Sequence, residues 1–207
     1  MRNWILLTAV LFCFSCKKEN NKKWTEIKIT VTDYLTSAPI EDVTCALYEK
    51  NTLGNLDLIY QSSTTTGLFE YGFKANGNKQ YVVTSSAPVD KYYKVSFLPY
   101  LELYNYEKNE FSFTVVEYGY LSFVLNNAAC FDANDQIVLH RDSETGYNGY
   151  GTSTHMGCYS STGSTFAKVP SGDWYIEWHV TKNNITNIYH DTINLNPGDS
   201  LTYLIEY

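Results

Sequence analysis

ELYNYEKNEFSFTVVEY at residues 102–118 lines up without gaps on DTINLNPGDSLTYLIEY at residues 191–207. Each stretch holds a short strand-like start, an acidic polar turn, and a second strand that ends in Glu-Tyr. Two shorter pairs keep the same order along the chain. CALYE (45–49) matches IVLHR (137–141), and QYVVTSS (80–86) matches WYIEWHV (174–180). Identities are few, but common order and similar spacing mark an internal repeat. The repeat predicts two tandem domains of similar length, 27–118 and 119–207, joined near residues 117–119 with almost no linker. Each is large enough to enclose its own core.

The residues outside the repeat point to the same class. Apolar residues are nowhere sustained at a 3.6-residue period. The 19 Tyr, the many Thr and the short Val/Ile runs favour pleated, half-buried surfaces. Runs such as ITVTDYL, LFEYGF, FSFTVVEY, GYLSFVL and SLTYLIEY are broken by GN (77–78), SGD (171–173) and NPGD (196–199). Many short strands with regular turn signals predict an all-β chain built of β-sandwiches.

The first half carries a family resemblance. TDYLTSAPIEDV (32–43) resembles the opening of carboxypeptidase regulatory-like domains, with its D-x-x-T-x-x-P-I turn followed by a valine that starts the second strand. TTTGLFEY (64–71) and the Tyr81-Val82-Val83 strand resemble the segments that follow in that family. The resemblance covers roughly residues 27–115 and implies a transthyretin-like or Ig-like sandwich. The second half, which lacks the Pro-Ile turn, shares it only through the repeat. The residue types fit their places: Gly67 permits a positive φ in a turn, and Phe69, Tyr71 and Phe73 alternate onto one face.

The N-terminal run 1–15, MRNWILLTAVLFCFS, has a basic start and an apolar stretch too short to span a bilayer, the build of a signal peptide. Ser15-Cys16 followed by KKENNKK (17–23) resembles the cleavage site of bacterial lipoproteins, in which the cysteine is diacylated. That implies lipidation at Cys16, a lipidated tether over 16–26, and membrane attachment through several acyl chains. Cys13, which has Phe12 before it and lies within the apolar run, is a poor acceptor. The alternative is an ordinary secretory signal with Cys16 nearby.

Removing Arg2, Lys17, Lys18, Lys22, Lys23 and Glu19 from the whole-chain 15 basic and 22 acidic residues leaves 10 and 21, a net −11. Such a body repels phosphate backbones, so nucleic acid is a poor partner. Cations, basic peptides and neutral sugars remain open. Of the cysteines, Cys45 sits in a strand-like run and reads as a buried thiol. Cys130 and Cys158 flank loop-like segments and are the natural disulfide pair of an oxidising compartment.

Catalytic patterns are missing from the sequence: it has no G-x-S-x-G elbow, no H-E-x-x-H and no phosphate loop. His140, His155, His179 and His190 all fall in the second half. HMGC (155–158) is one x₂ pair of ligand types without a second, so no metal site and no cofactor are expected. Tyr92, Tyr93, Phe97, Tyr100, Tyr104 and Tyr106 read mainly as cross-strand packing. Trp174, Ile176 and Trp178 alternate onto a core face, which turns Glu177 and His179 the other way. The loop GYNGYG (146–151) reads as an exposed recognition loop, with Tyr147 and Tyr150 as its binding residues. Together these features predict a non-catalytic cell-envelope lipoprotein, outer-membrane and facing periplasm or cell surface. Its role would be structural, adhesive or accessory to an envelope protein. Glycan binding through the loop tyrosines is the alternative, and an enzyme or metal-binding protein stands third.

Overall fold

A computed structural model describes residues 24–95, 100–161, 163 and 165–207. The expected signal peptide, Cys16, tether residues 17–23 and Phe97 lie outside the described residues. All regular structure among the described residues is β, in fourteen strands. β1 (Trp24–Asp33), β2 (Val43–Lys50), β3 (Leu56–Thr64), β4 (Leu68–Lys74), β5 (Gln80–Ser86), β6 (Tyr92–Lys94) and β7 (Leu101–Glu102) lead into β8 (Lys108–Asn126). β9 (Gln136–Ser143), β10 (Thr152–Met156), β11 (Ala167–Pro170), β12 (Gly172–Lys182), β13 (Ile185–Leu195) and β14 (Ser200–Glu206) follow.

In the first half, one sheet runs β6-β8-β1-β4 and the other β3-β2-β5-β7. β1 lies parallel to β8, with Glu26 opposite Lys108 and Asp33 opposite Val115. Ile27, Ile29, Val31, Val43, Cys45, Leu47, Phe69, Phe73, Tyr81, Val83, Phe113 and Val115 close one core between the two sheets. The period-two alternation of β1 sends Ile27, Ile29 and Val31 inward and Glu26 outward. β1 starts at Trp24, so residues 24–26, read from sequence as tether, are strand. Thr25 is buried there, and its Oγ1 accepts the Tyr106 N–H at 2.8 Å.

The turn after β1 explains its residue types. Asp33 Oδ1 accepts the N–H groups of Leu35 (3.0 Å) and Thr36 (2.8 Å) and the Thr36 hydroxyl (2.9 Å), an Asx-type turn. Gly67 has φ +67°, and its carbonyl accepts the Val31 N–H at 2.8 Å. A Cβ there would sit 2.7 Å from Val31 O, so only glycine fits without strain.

The second half repeats this wiring. Its sheets run β11-β8-β14 and β10-β9-β12-β13. β8 here takes the place of β1, with parallel β14 on one side and antiparallel β11 on the other, as β1 has β8 and β4. Leu121, Leu125, Ile137, Leu139, Val169, Trp174, Ile176, Val180, Leu195 and Ile205 fill its core.

β8 therefore belongs to both halves. Its first stretch pairs with β1 and β6 and its second with β11 and β14, through residues 117–119 without a break. Where the two meet, Ser171 N–H and Oγ–H both donate to Glu117 O (2.9 and 2.7 Å), and Gly198 N–H donates to Tyr118 O (2.9 Å). Lys168 Nζ donates to Asp90 O, and its ammonium lies 4.4 Å from the Tyr118 ring centroid. The parallel run of β1, β8 and β14 sets the order of the ends. Turns 51–55, 75–79 and 103–107 lie beside Trp24, whereas 127–135, 157–161 and 183–184 lie at the far end of β8.

Candidate functional site

The far end carries the two cysteines. Cys130 and Cys158 stand with their Cα atoms 5.2 Å apart and their sulfurs joined, a span that a disulfide bridges. Asp135 organises the loop beneath them. Its carboxylate accepts from Phe131 N–H (2.8 Å) and Asn127 Nδ2 (3.0 Å). The Phe131 bond first, then the Asn127 bond, holds this carboxyl below its usual range. His155 stacks on Tyr159 with ring centroids 4.2 Å apart. The HMGC segment thus spends its sulfur on Cys130 and its imidazole on an aromatic ring.

Tyr147 and Tyr150, expected as binding residues of an exposed loop, also take part in packing. Both rings are half-buried against Leu121, Val169, Trp174 and Leu195. Tyr150 Oη–H donates to Leu121 O at 2.8 Å, and its ring meets Phe123 and Trp174 edge-on, with centroids 5.7 Å away in each case. The Arg141 guanidinium lies 4.8 Å from the Tyr150 centroid and donates to Tyr150 O at 3.2 Å. Tyr147 packs edge-on to Trp174 and, across the junction, to Tyr93 at 5.3 Å. Glycines at 146, 149 and 151 let the loop fold back, so its rings cover the near end of the second core.

Other aromatic positions divide by burial. Tyr92 packs on the first core and Tyr93 meets Tyr118 and Tyr147 edge-on. Tyr100 lies beneath the Lys50 ammonium, while Tyr104 stands in solvent at 73% exposure. Trp174 and Ile176 are buried and Trp178 is half-buried, stacked on Tyr189.

The outer face of β9, β12 and β13 holds the cluster most suited to chemistry. Glu177 sits in the middle of β12, and register places His140 of β9 directly opposite on one side and His190 of β13 on the other. His179, two residues along β12, shares that face. Its Nε2 is 2.6 Å from Glu177 Oε1, and His190 Nδ1 is 3.3 Å from Glu177 Oε2. The His140 and His179 ring centroids are 5.2 Å apart. Potential ligand atoms of His140, Glu177 and His179 all lie within 4.8 Å of one another. The His179 hydrogen bond first, then the charges of His190, His179 and His140, keep the Glu177 carboxyl below its usual range. Asp142, Tyr175 and Asp191 line the same shallow hollow. From sequence, only Glu177 and His179 could be placed together, through their alternation. His140 and His190 needed strand register to join them.

No family model matches the sequence, and no curated protein matches it. Among solved structures, the chain is similar to the Bacillus anthracis TIE protein at 14% identity and a TM-score of 0.36, covering 88% of this chain and 34% of that one. It is similar to GBS52, the minor pilin of Streptococcus agalactiae, at 11% identity and a TM-score of 0.37, covering 88% and 94%. The shaft pilin SpaA of Lactobacillus rhamnosus GG gives 8% identity and a TM-score of 0.33, covering 89% and 97%. The chain thus spans about a third of the TIE protein's length and most of the length of the two pilins.

Proposed function

We propose that this chain is a non-catalytic envelope lipoprotein that acts as a rigid spacer, carrying its second half away from a membrane to meet a protein partner. In this reading residues 1–15 are removed, Cys16 carries the lipid, and the Lys-rich segment to residue 23 is the tether. Residues 24–118 and 119–207 are two transthyretin-like or Ig-like units.

The observation that carries the reading is β8. One strand of 19 residues serves both halves, about 60 Å of continuous backbone at roughly 3.3 Å per residue. Flexible inter-domain linkers allow relative motion by default. A shared strand with ladder partners on both sides of residues 117–119 removes that freedom. The tether joins β1 at the end opposite the disulfide-bearing tip, so the tip is the part farthest from the anchor. A glycan-binding role through Tyr147 and Tyr150 is the second reading, and it would have to use rings that also pack against the second core.

Two measurements test this. Cys16→Ser should abolish acylation and release the protein from the membrane fraction or leave it as precursor. An unchanged mature mass and membrane partition would remove the anchor. A photoreactive residue at Phe131, exposed at the far tip, should crosslink an envelope protein in cells, and one at Leu53, exposed at the Trp24 end, should not. Crosslinks from Leu53 alone would reverse the proposed orientation.

A further inference from the structure

We propose that His140, His179 and Glu177 form a binding site for a divalent transition metal of the zinc class, with His190 orienting the carboxylate. Three of the chain's four histidines meet on one outer sheet face around a single glutamate. Imidazole and carboxylate are the ligand set that suits zinc and its neighbours.

The arrangement exceeds what hydrogen bonding among these groups requires. Glu177 already has His179 on one oxygen and His190 on the other. His140 makes its own bond instead, Nδ1 to Thr152 Oγ1 at 2.9 Å. That bond fixes the ring and leaves Nε2 as the nitrogen that can ligate, the orienting contact that metal-bound histidines usually make. His190 stands to Glu177 as a similar supporting group. A tetrahedral ion with bonds of about 2.0–2.2 Å needs ligand atoms roughly 3.3 Å apart. The three potential ligand atoms already lie within 4.8 Å, and small turns of the half-buried Glu177 and His179 side chains about a fixed His140 would close the remainder.

Two further features favour a cation. The hollow is lined by Asp142 and Asp191 as well as Glu177, so its acidic groups draw in positive charge. The three ligands stand on two hydrogen-bonded neighbouring strands, β9 and β12, with His190 beside them on β13, rather than on loops, which holds their spacing. Three protein ligands leave a fourth position open to water or to a group from outside.

The test uses the protein as the cell produces it, solubilised in detergent and carrying no histidine tag, titrated with Zn²⁺ against a chromophoric chelator and with Co²⁺ by visible absorption. One equivalent of Zn²⁺ should bind and raise the melting temperature, and Co²⁺ should give tetrahedral absorption bands. His140→Ala, His179→Ala and Glu177→Gln should each abolish saturable binding while leaving the metal-free melting temperature unchanged. His190→Ala should weaken affinity about 10–100-fold, as loss of an orienting group does. His155→Ala, outside the cluster, should bind as the unsubstituted protein does. Failure to compete for Zn²⁺ at an equimolar ratio would overturn the proposal. So would unchanged affinity in His140→Ala and His179→Ala, or loss of binding in His155→Ala. None of these outcomes bears on the spacer reading, which stands or falls on acylation and crosslinking.

Discussion

Cutting Tyr150 to Ala removes a ring that joins four neighbours. Its hydroxyl bond to Leu121 O, a neutral hydrogen bond of 2.8 Å, contributes about 1 kcal/mol. Its edge contacts with Phe123 and Trp174 add roughly 0.5–1.5 kcal/mol each beyond area burial. The Arg141 guanidinium 4.8 Å above the ring contributes about 0.5–2 kcal/mol. These terms overlap, and a fully buried aromatic costs roughly 3–5 kcal/mol when cut to Ala. For a half-buried ring, Tyr150→Ala should therefore cost about 2–4 kcal/mol. Tyr150→Phe, which keeps the ring, should cost only about 1 kcal/mol. Guanidinium unfolding followed by tryptophan emission is the suitable assay, because buried Trp174 touches Tyr150 directly. Tyr175→Ala, on the exposed outer face, serves as the control and should stay within about 0.5 kcal/mol. If Tyr150→Ala were as silent as the control, the ring would be spare to packing and the loop would again stand as a contact surface.

Gly67→Ala forces a positive φ on a residue with a side chain and drives its Cβ toward Val31 O and Ile40 N. It should cost at least about 1–3 kcal/mol, and an unchanged thermal midpoint would refute the turn geometry. Cys130→Ala with Cys158→Ala opens a loop of sequence separation 28. The chain-entropy model puts the loss at about 3–4 kcal/mol, and non-reducing peptide mapping should find the crosslinked pair in the unsubstituted protein. Burial pushes the Cys45 thiol up to about 11. The folded state therefore favours the protonated thiol. This contribution is whole below the ordinary value of 9.0 and is lost as pH rises from there to about 11. Cys45→Val should flatten that alkaline limb of the stability profile. Iodoacetamide should label Cys45 only on unfolding, and rapid native labelling would contradict its burial.

Much of the fold was legible because it rests on local signals, some of which recur in the second half. The Asp-Thr turn at 33–36, the glycine at 67 and the alternation of FSFTVVEY and SLTYLIEY each specify a strand or turn alone. Pairing CALYE with IVLHR and QYVVTSS with WYIEWHV matches β2 with β9 and β5 with β12, which hold equivalent places in their sheets. What the pattern hid was long-range. The Gly/Tyr loop carries the composition of an exposed segment, and contacts distant in sequence, with Tyr93, Leu121, Phe123 and Trp174, turn it inward. The histidine cluster was equally hidden. His140, Glu177 and His190 are separated by whole strands, and only the pairing of β9, β12 and β13 sets them in a row. The sequence shows those histidines singly, with no second ligand pair at metal spacing beside them.

The direction of β8 also decides how the molecule would answer a pull. Were the chain held before Trp24 and loaded at the far tip, tension would enter β1 at its start and leave along β8 toward its end. The two strands are parallel over eight paired positions, from Glu26–Lys108 to Asp33–Val115. Their opposed loading is a sliding one, and the ladder bonds resist it together instead of opening one by one like a zip. Beyond residue 119, β14 lies alongside β8 in the same sense over seven further pairs and can share the load in the second half. Forced rupture is governed by the unfolding rate, so such a strand can hold under shear even where equilibrium stability is ordinary. A chain that breaks readily on heating could still be a strong cable.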